Sequence, residues 1–137
     1  MNLSDIKLRD VNVKNSLMKI NSIHQDGGKY HITMDDVELR VDNDEDGNWF
    51  HTDIAVVVKG FESIDNPDDE SDPVFEINLL VTLSYEINSE EEMSQDFYEE
   101  NHWFFDNFIT MSAKISIDKL VAHTVLSTID APWSARF

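Results

Sequence analysis

The 137-residue sequence contains no cysteine, only four glycines and three prolines, and no lysine or arginine between Lys59 and Lys114. The absence of cysteine excludes disulfide bonds, thiol nucleophiles and cysteine-ligated zinc. No glycine-rich phosphate loop or G-x-S-x-G nucleophile motif is present. No apolar run approaches the roughly 20 residues that a membrane-spanning helix needs. The sequence therefore argues against a membrane-spanning protein and against an enzyme of these motif-defined classes.

Acidic residues dominate what is present. The sequence has 10 Lys and Arg residues and 28 Asp and Glu residues, which gives a formal net charge of −18. Of the acidic residues, 15 lie between Lys59 and Lys114. Neutralising phosphates requires a basic surface, so we do not expect nucleic acid as a ligand. Acidity of this kind keeps a protein soluble, steers basic partners towards it, or simply forms a solvated surface. The sequence leaves these three interpretations open.

The length and the hydrophobic fraction of 41% predict a single globular domain over residues 1–137. The first five residues, MNLSD, have neither the basic nor the apolar region of a signal peptide. We therefore expect a cytoplasmic protein.

Alternating apolar residues predict four β-strands. The predicted strands span Asp5–Lys14, Tyr30–Val41, Trp49–Phe61 and Val74–Ile87. The alternation changes phase at Arg9-Asp10 and at Asp35-Asp36, which predicts a β-bulge in each of the first two strands. The polar segment Asp42–Asn48 is predicted to be a hairpin connection, and Glu62–Pro73 an acidic loop.

After Asn88 the apolar residues recur every three or four positions. This spacing predicts a long amphipathic helix over Tyr98–Thr128 and leaves open a break near Ser116–Asp118. Pro132 is expected to end the helix. Strands followed by a helix predict an α+β fold, in which a four-stranded antiparallel sheet carries a long C-terminal helix packed on one face.

Two patterns raise the question of a metal site. Asp42–Gly47 (DNDEDG) has acids at positions one, three and five of a calcium loop and glycine at position six, with Asp53 at position twelve. The flanks are predicted strands instead of helices, so a solvated acidic turn is preferred and a weak cation site is the alternative. His51 and Asp53 share a strand face, but no two histidines have the spacing of a helical zinc site. We predict no resident metal or cofactor, no catalytic residue, and a protein that is not an enzyme.

Aromatic residues cluster between Phe97 and Phe108. Trp103, Phe104 and Phe105 are consecutive and point about 100° apart on a helix, so they cannot all face one core. One interpretation is a core that continues into an oligomer interface. The other is an apolar groove for extended polypeptide, and both can hold together.

Three segments resemble strands of the SecB family of export chaperones. Ile6–Val13 (IKLRDVNV) is similar to the first strand of the family, Val37–Asp42 (VELRVD) to the second and Phe75–Ile87 to the fourth. The resemblance implies a SecB-like fold and a homo-oligomer, either a dimer or a tetramer. It also implies an ATP-independent holdase that binds unfolded or nascent polypeptide, of the export or antitoxin-linked type. The client-binding residues expected on this interpretation are Trp103, Phe104, Phe105 and Phe108.

The sequence departs from the family at positions that matter for function. Asn78 stands where the family has a glutamate that contributes to binding the export motor, and Thr82-Leu83 replace paired glycines. Docking to an export motor is therefore not expected. The alternative function is an acidic inhibitor or decoy, of a kind that phages encode, that occupies a basic nucleic-acid-binding partner. The acidic stretch from Glu62 to Asp106 motivates this alternative.

Overall fold

The computed structural model describes residues 1–21, 28–44, 47–62, 73–124 and 126–127. A 3₁₀ turn at Leu3–Asp5 precedes one sheet and two helices. The elements are β1 (Ile6–Ile20), β2 (Gly28–Asp44), β3 (Gly47–Glu62), β4 (Phe75–Ile87), α1 (Gln95–Glu100) and α2 (His102–Val121). The predicted α+β architecture is confirmed.

The four strands form one antiparallel sheet in the order β1-β4-β3-β2, so β1 and β2 are its edges. The β2–β3 connection is a hairpin where the sequence predicted one, with Asp42 opposite Trp49. Gly47 has a φ of 133°, a backbone conformation that residues with a Cβ atom rarely adopt. Residues 45 and 46 of the hairpin and residues 63–72 of the predicted acidic loop lie outside the described residues.

The strands are longer than predicted, except for β4, which begins one residue after Val74. β1 continues to Ile20 instead of ending at Lys14, and its pairing with β4 runs on from Asn15 opposite Leu80. Polar residues interrupt the alternation there, but the backbone ladder does not require apolar side chains. β2 and β3 extend past the predicted bounds at both ends for the same reason.

Three register shifts mark bulges in the edge strands. The register of β1 against β4 shifts at Arg9, as predicted, and again at Lys14, which the alternation did not indicate. In β2 the shift against β3 lies between Asp36 and Glu38, one residue beyond the predicted slip at Asp35-Asp36. Each bulge adds an unpaired residue and increases the local twist.

The prediction of one helix over Tyr98–Thr128 was wrong in its start and its break. The chain is helical without interruption through Ser116–Asp118, and the break lies at Asn101, which has φ −114° and ψ 26°. The Asn101 side-chain amide donates to the Phe97 carbonyl at 2.9 Å, which supplies a partner at the end of α1.

The helix termini follow ordinary capping chemistry. The Ser94 hydroxyl accepts a hydrogen bond from the Phe97 backbone N–H at 3.1 Å, so Ser94 is the N-cap of α1. α2 ends at Val121, earlier than predicted, and His123 then adopts the left-handed φ of 65°. Thr128 and Pro132 lie outside the described residues.

The core lies between one face of the sheet and one stripe of α2. Even-numbered residues of β3 and odd-numbered residues of β4 point to this face and are buried, among them Phe50, Ile54, Val56, Val58, Ile77, Leu79, Val81, Leu83 and Tyr85. On α2 the buried apolar residues recur every fourth position, at Phe105, Ile109, Ala113, Ile117 and Val121. This stripe places α2 on one face of the sheet, and among the described residues no helix packs on the other face.

Candidate functional site: an aromatic patch on α2 and two sheet surfaces

Aromatic rings connect the core to the surface at the start of α2. At the base, Phe50 and Tyr85 stack across β3 and β4, with ring centroids 4.4 Å apart and planes at 4°. Phe105 packs edge-on against both rings at 5.6 Å and has no exposed surface. The edge-to-face geometry is a favoured arrangement of aromatic quadrupoles. Phe105 is therefore a core residue that anchors α2 to the sheet.

Three further rings continue from Phe105 to solvent. Phe104 and Phe108 are partly buried and lie 5.1 Å apart, and Phe108 packs edge-on against Tyr85 at 6.0 Å. Trp103 packs edge-on against Phe104 at 6.0 Å and is 47% exposed. We call Trp103, Phe104 and Phe108 the aromatic patch. It is an apolar surface whose rings pack on the core beneath it.

The structure thus brings the four sequence-predicted residues together but divides them by direction. Trp103, Phe104 and Phe108 reach the surface, whereas Phe105 faces the sheet. A signal for this division was present in the sequence, because Phe105 lies four residues before Ile109 and so begins the buried stripe. The signal was missed because many aromatic residues lie close together in this part of the sequence.

Carboxylates are dense in the part of the chain that leads into the aromatic patch. The chain from Glu90 to Asp106 carries seven acids and no lysine or arginine. Six of the seven are exposed, at Glu90, Glu91, Glu92, Asp96, Glu99 and Glu100. Negative charge at this density along the chain favours partners that carry positive charge.

The sheet face opposite α2 contains a buried carboxylate. Asp53 is 8% exposed, accepts a hydrogen bond from the Thr82 hydroxyl at 2.5 Å, and pairs with Arg40 at 3.1 Å. Burial by itself raises the pKa of Asp53, but the hydrogen bond from Thr82 and the positive charge of Arg40 outweigh it. The pKa of Asp53 therefore lies below its ordinary value of 3.8. Sequence reasoning missed Arg40 and Thr82, because their contacts depend on the register of three strands.

His51 lies on the same sheet face as Asp53, as predicted, but the two side chains bind different partners. The Nδ1 atom of His51 lies 2.7 Å from the Ser84 hydroxyl, and its Nε2 atom lies 3.3 Å from the Asp42 carboxylate. Among the described residues, no group of three or more potential ligands is placed to hold a metal ion. Asp53 lies opposite Glu38 and pairs with Arg40, and residues 45 and 46 of the predicted acidic turn lie outside the described residues.

β1 is an edge strand with side chains exposed on both faces. Only Ile6 is buried along its 15 residues. Val11 is 37% exposed, Val13 41%, Leu17 61% and Ile20 38%. These four account for half of the large hydrophobic side chains that are exposed within the described residues. Apolar exposure at this density on a strand edge indicates an interaction surface.

Comparisons with known proteins relate the chain to others through its fold. No protein-family model matches the sequence, and no curated protein matches it. Among solved structures, the SecB-like chaperone Rv1957 of Mycobacterium tuberculosis, in complex with a ChAD peptide from the HigA1 antitoxin, is similar with a TM-score of 0.70. The sequence identity is 9%, and the match covers 94% of this chain and 89% of that one. The chain therefore has a SecB-like fold.

Within the described ranges, no helix combines the length and the apolar character that crossing a bilayer requires.

Proposed function

We propose that the protein is an ATP-independent holdase that binds unfolded or nascent polypeptide at the aromatic patch. The observation that carries this proposal is the exposure of Trp103, 47%, on rings that continue into a fully buried core. A large aromatic side chain held at the surface gives affinity without demanding a particular client sequence. No step in this activity requires a cofactor or catalysis.

The SecB-like fold supports the proposal at the level of architecture. The similar mycobacterial chaperone was solved with a peptide from an antitoxin, and polypeptide is the class of client that we propose here. We place the protein in the cytoplasm, where nascent chains are available. We do not propose binding to an export motor, because Asn78 stands where the SecB family has the glutamate that contributes to this binding.

The test is light scattering of a chemically denatured, aggregation-prone client diluted into buffer with and without the protein. We expect stoichiometric protein to suppress aggregation without ATP and at both low and high salt, because apolar capture is not screened by ions. Trp103→Ala should weaken the suppression. Ile115→Ala is the matched control, since Ile115 is an exposed apolar residue of the same helix, 38% exposed and about 18 Å along it from Trp103.

Each outcome of the light-scattering test supports or contradicts a specific part of the proposal. Suppression that Trp103→Ala lowers and Ile115→Ala leaves intact supports client binding at the aromatic patch. Equal loss in both variants contradicts the assignment of the patch. No suppression by the wild-type protein at either salt concentration rules out general holdase activity.

The second candidate is an acidic inhibitor or decoy that binds a basic nucleic-acid-binding partner. The exposure of six carboxylates between Glu90 and Glu100 favours it. Such binding is electrostatic, so it should collapse at a few tenths molar salt, where the Debye length falls to about 5 Å. Suppression of aggregation only at low salt, and only for basic clients, would favour this candidate over the holdase.

We further propose that the protein functions as a homo-oligomer, a dimer or a tetramer. The exposed apolar side chains of β1 support this part of the proposal. A strand edge with free backbone groups and valines on its surface is a hazard for a monomer, and pairing removes it.

A further inference from the structure

The short helix α1 is held on the core by one aromatic side chain. All six of its residues are described, and Tyr98 is the one that is buried. The Tyr98 ring stacks on Phe105, with ring centroids 4.6 Å apart and planes at 25°. The other five side chains of α1 are exposed or, at Phe97, partly buried. What keeps α1 in place is therefore largely the contact between these two rings.

Two features make α1 a weak helix, and one feature stabilises it. Six residues are fewer than the roughly 12 that an isolated helix needs to be even marginally stable in water. Glu99 and Glu100 end the helix, where the partial negative charge of the helix dipole opposes them. The stabilising feature is the Ser94 cap, whose hydroxyl accepts a hydrogen bond from the Phe97 N–H at 3.1 Å. We therefore expect α1 to open at a lower free energy than the rest of the fold.

The segments on both sides of α1 have attachments of their own. Before α1, the Asn48 side-chain amide donates to the Ser89 carbonyl at 2.9 Å, and Met93 is buried at 5% exposure. After α1, the backbone leaves the helical conformation at Asn101, with φ −114° and ψ 26°, and α2 begins at the next residue. α1 can therefore move away from the core while β4 and α2 stay in place.

The place that Tyr98 occupies is a site for a flat ring. Among the described rings that contact Phe105, only Tyr98 lies nearly parallel to it. The rings of Phe50, Tyr85 and Phe104 stand at 84°, 88° and 86° to it. Because Phe104 belongs to the aromatic patch, a polypeptide bound on the patch lies next to the face of Phe105 that Tyr98 covers.

We propose that α1 is an autoinhibitory lid, whose Tyr98 covers the face of Phe105 in the free protein and competes there with a ring of the bound polypeptide. The proposal rests on the holdase function proposed above and adds a control on the affinity of its site. First contact at Trp103 does not require the lid to open. The lid therefore sets how tightly a captured segment is held, because opening uncovers apolar surface beside the patch.

Loosening the lid without changing the aromatic patch tests the competition. The probe is a fluorescein-labelled glycine–serine peptide with two central phenylalanines, and fluorescence anisotropy measures its dissociation constant. Ser94→Ala removes the N-cap of α1 and should lower this constant about fivefold, because the open lid becomes more populated. Ser94→Asn is the matched control, since asparagine caps a helix about as well as serine, and should bind the peptide as the wild type does.

Fluorine NMR follows the ring of Tyr98 itself. Labelling with 3-fluorotyrosine marks Tyr30, Tyr85 and Tyr98, and Tyr98→Phe identifies the signal of Tyr98 by its loss. Saturating peptide should move this signal towards that of free fluorotyrosine, because the ring leaves Phe105 for water. The signal of Tyr85, which has no exposed surface, should move much less.

Three results would overturn the lid. These are equal or weaker peptide binding by Ser94→Ala, a gain of the same size in Ser94→Asn, or a Tyr98 signal that stays in place when the peptide is saturating. Suppression of client aggregation is measured separately on the same samples. If the wild type suppresses aggregation while the lid fails, the holdase proposal stands. Absence of both suppression and peptide binding overturns the holdase proposal, and the lid with it.

Discussion

The carboxylate of Asp53 accepts a 2.5 Å hydrogen bond from the hydroxyl of Thr82 on the face of the sheet opposite α2. Arg40 pairs with the same carboxylate oxygen at 3.1 Å, so one buried charge joins β2, β3 and β4. A buried carboxylate remains charged only when such partners replace its water. We therefore expect the polar face of the sheet to contribute to the stability of the fold.

Replacing Asp53 by Asn tests this contribution. Asn keeps the size of the side chain but removes the charge, and Arg40 is left beside an amide. Because the Arg40 side chain is 38% exposed and water can solvate it, we expect a loss of about 1–3 kcal/mol in the free energy of unfolding. Urea denaturation measures it.

Glu38→Gln is the matched control, since Glu38 lies directly opposite Asp53 and is exposed. The same change of charge there should alter stability by less than about 0.5 kcal/mol. An equal loss in both variants would mean that net charge, and not the buried pair, governs the effect.

The depressed pKa of Asp53 also predicts a pH dependence with a definite sign. A carboxyl whose folded pKa lies below its unfolded value contributes stability that is fully present above the unfolded pKa, here near 3.8. That contribution is lost as the pH falls through the lower folded pKa. The stability difference between wild type and Asp53→Asn should therefore be constant from pH 7 to about pH 5 and shrink below about pH 4.

Taking the difference between the two proteins is necessary because 28 acidic residues titrate in the same range. The comparison cancels those that the substitution does not touch. A difference that grows on acidification would contradict the assigned direction of the pKa shift.

The sequence predicted the four strands because β3 and β4 bury one continuous face, which fixes the apolar alternation of their residues. It did not predict the second half of β1, where Asn15 and Ser16 break the pattern while the backbone ladder continues. The break between the helices was also missed. Asn101 is neither proline nor glycine, and the apolar period runs through it with little change.

For the candidate site, the direction of each aromatic ring could not be predicted from the sequence. Trp103 and Phe105 belong to one aromatic run, and only the placement of α2 on the sheet separates an exposed ring from a buried one. The Arg40–Asp53 pair could not be predicted, because a bulge in β2 sets which residues face each other. Strand register is a property of the folded sheet and leaves little trace in local sequence.

The close packing at Gly60 predicts that a substitution there affects the side chain on the neighbouring strand. It pairs with Phe75, and a Cβ atom added at Gly60 would lie 1.9 Å from Cε1 of that ring. Gly60→Ala should therefore displace the ring and cost about 1–3 kcal/mol. In the background of Phe75→Ala the same substitution should cost much less, because the clashing atoms are gone. Additive effects in this double-mutant cycle, measured by urea denaturation, would contradict the close packing.

The aromatic patch and the ring beneath it predict opposite consequences for neighbouring substitutions. Phe105→Ala removes a side chain with no exposed surface that contacts Phe50, Tyr85 and Tyr98. It should cost about 3–5 kcal/mol of unfolding free energy. Trp103→Ala removes a ring that is about half in water, so its cost in stability should stay below about 1 kcal/mol.

In client capture, the substitution of the exposed ring should have a larger effect than a substitution of the buried ring, provided that both variants are folded. At a temperature where both variants are folded by circular dichroism, Trp103→Ala should capture less denatured client than Phe105→Leu, which keeps the core filled. If Phe105→Leu instead loses capture while Trp103→Ala keeps it, client contact at the exposed ring is contradicted. Capture would then depend on the integrity of the core, and the surface for clients would have to lie elsewhere on the sheet or helix.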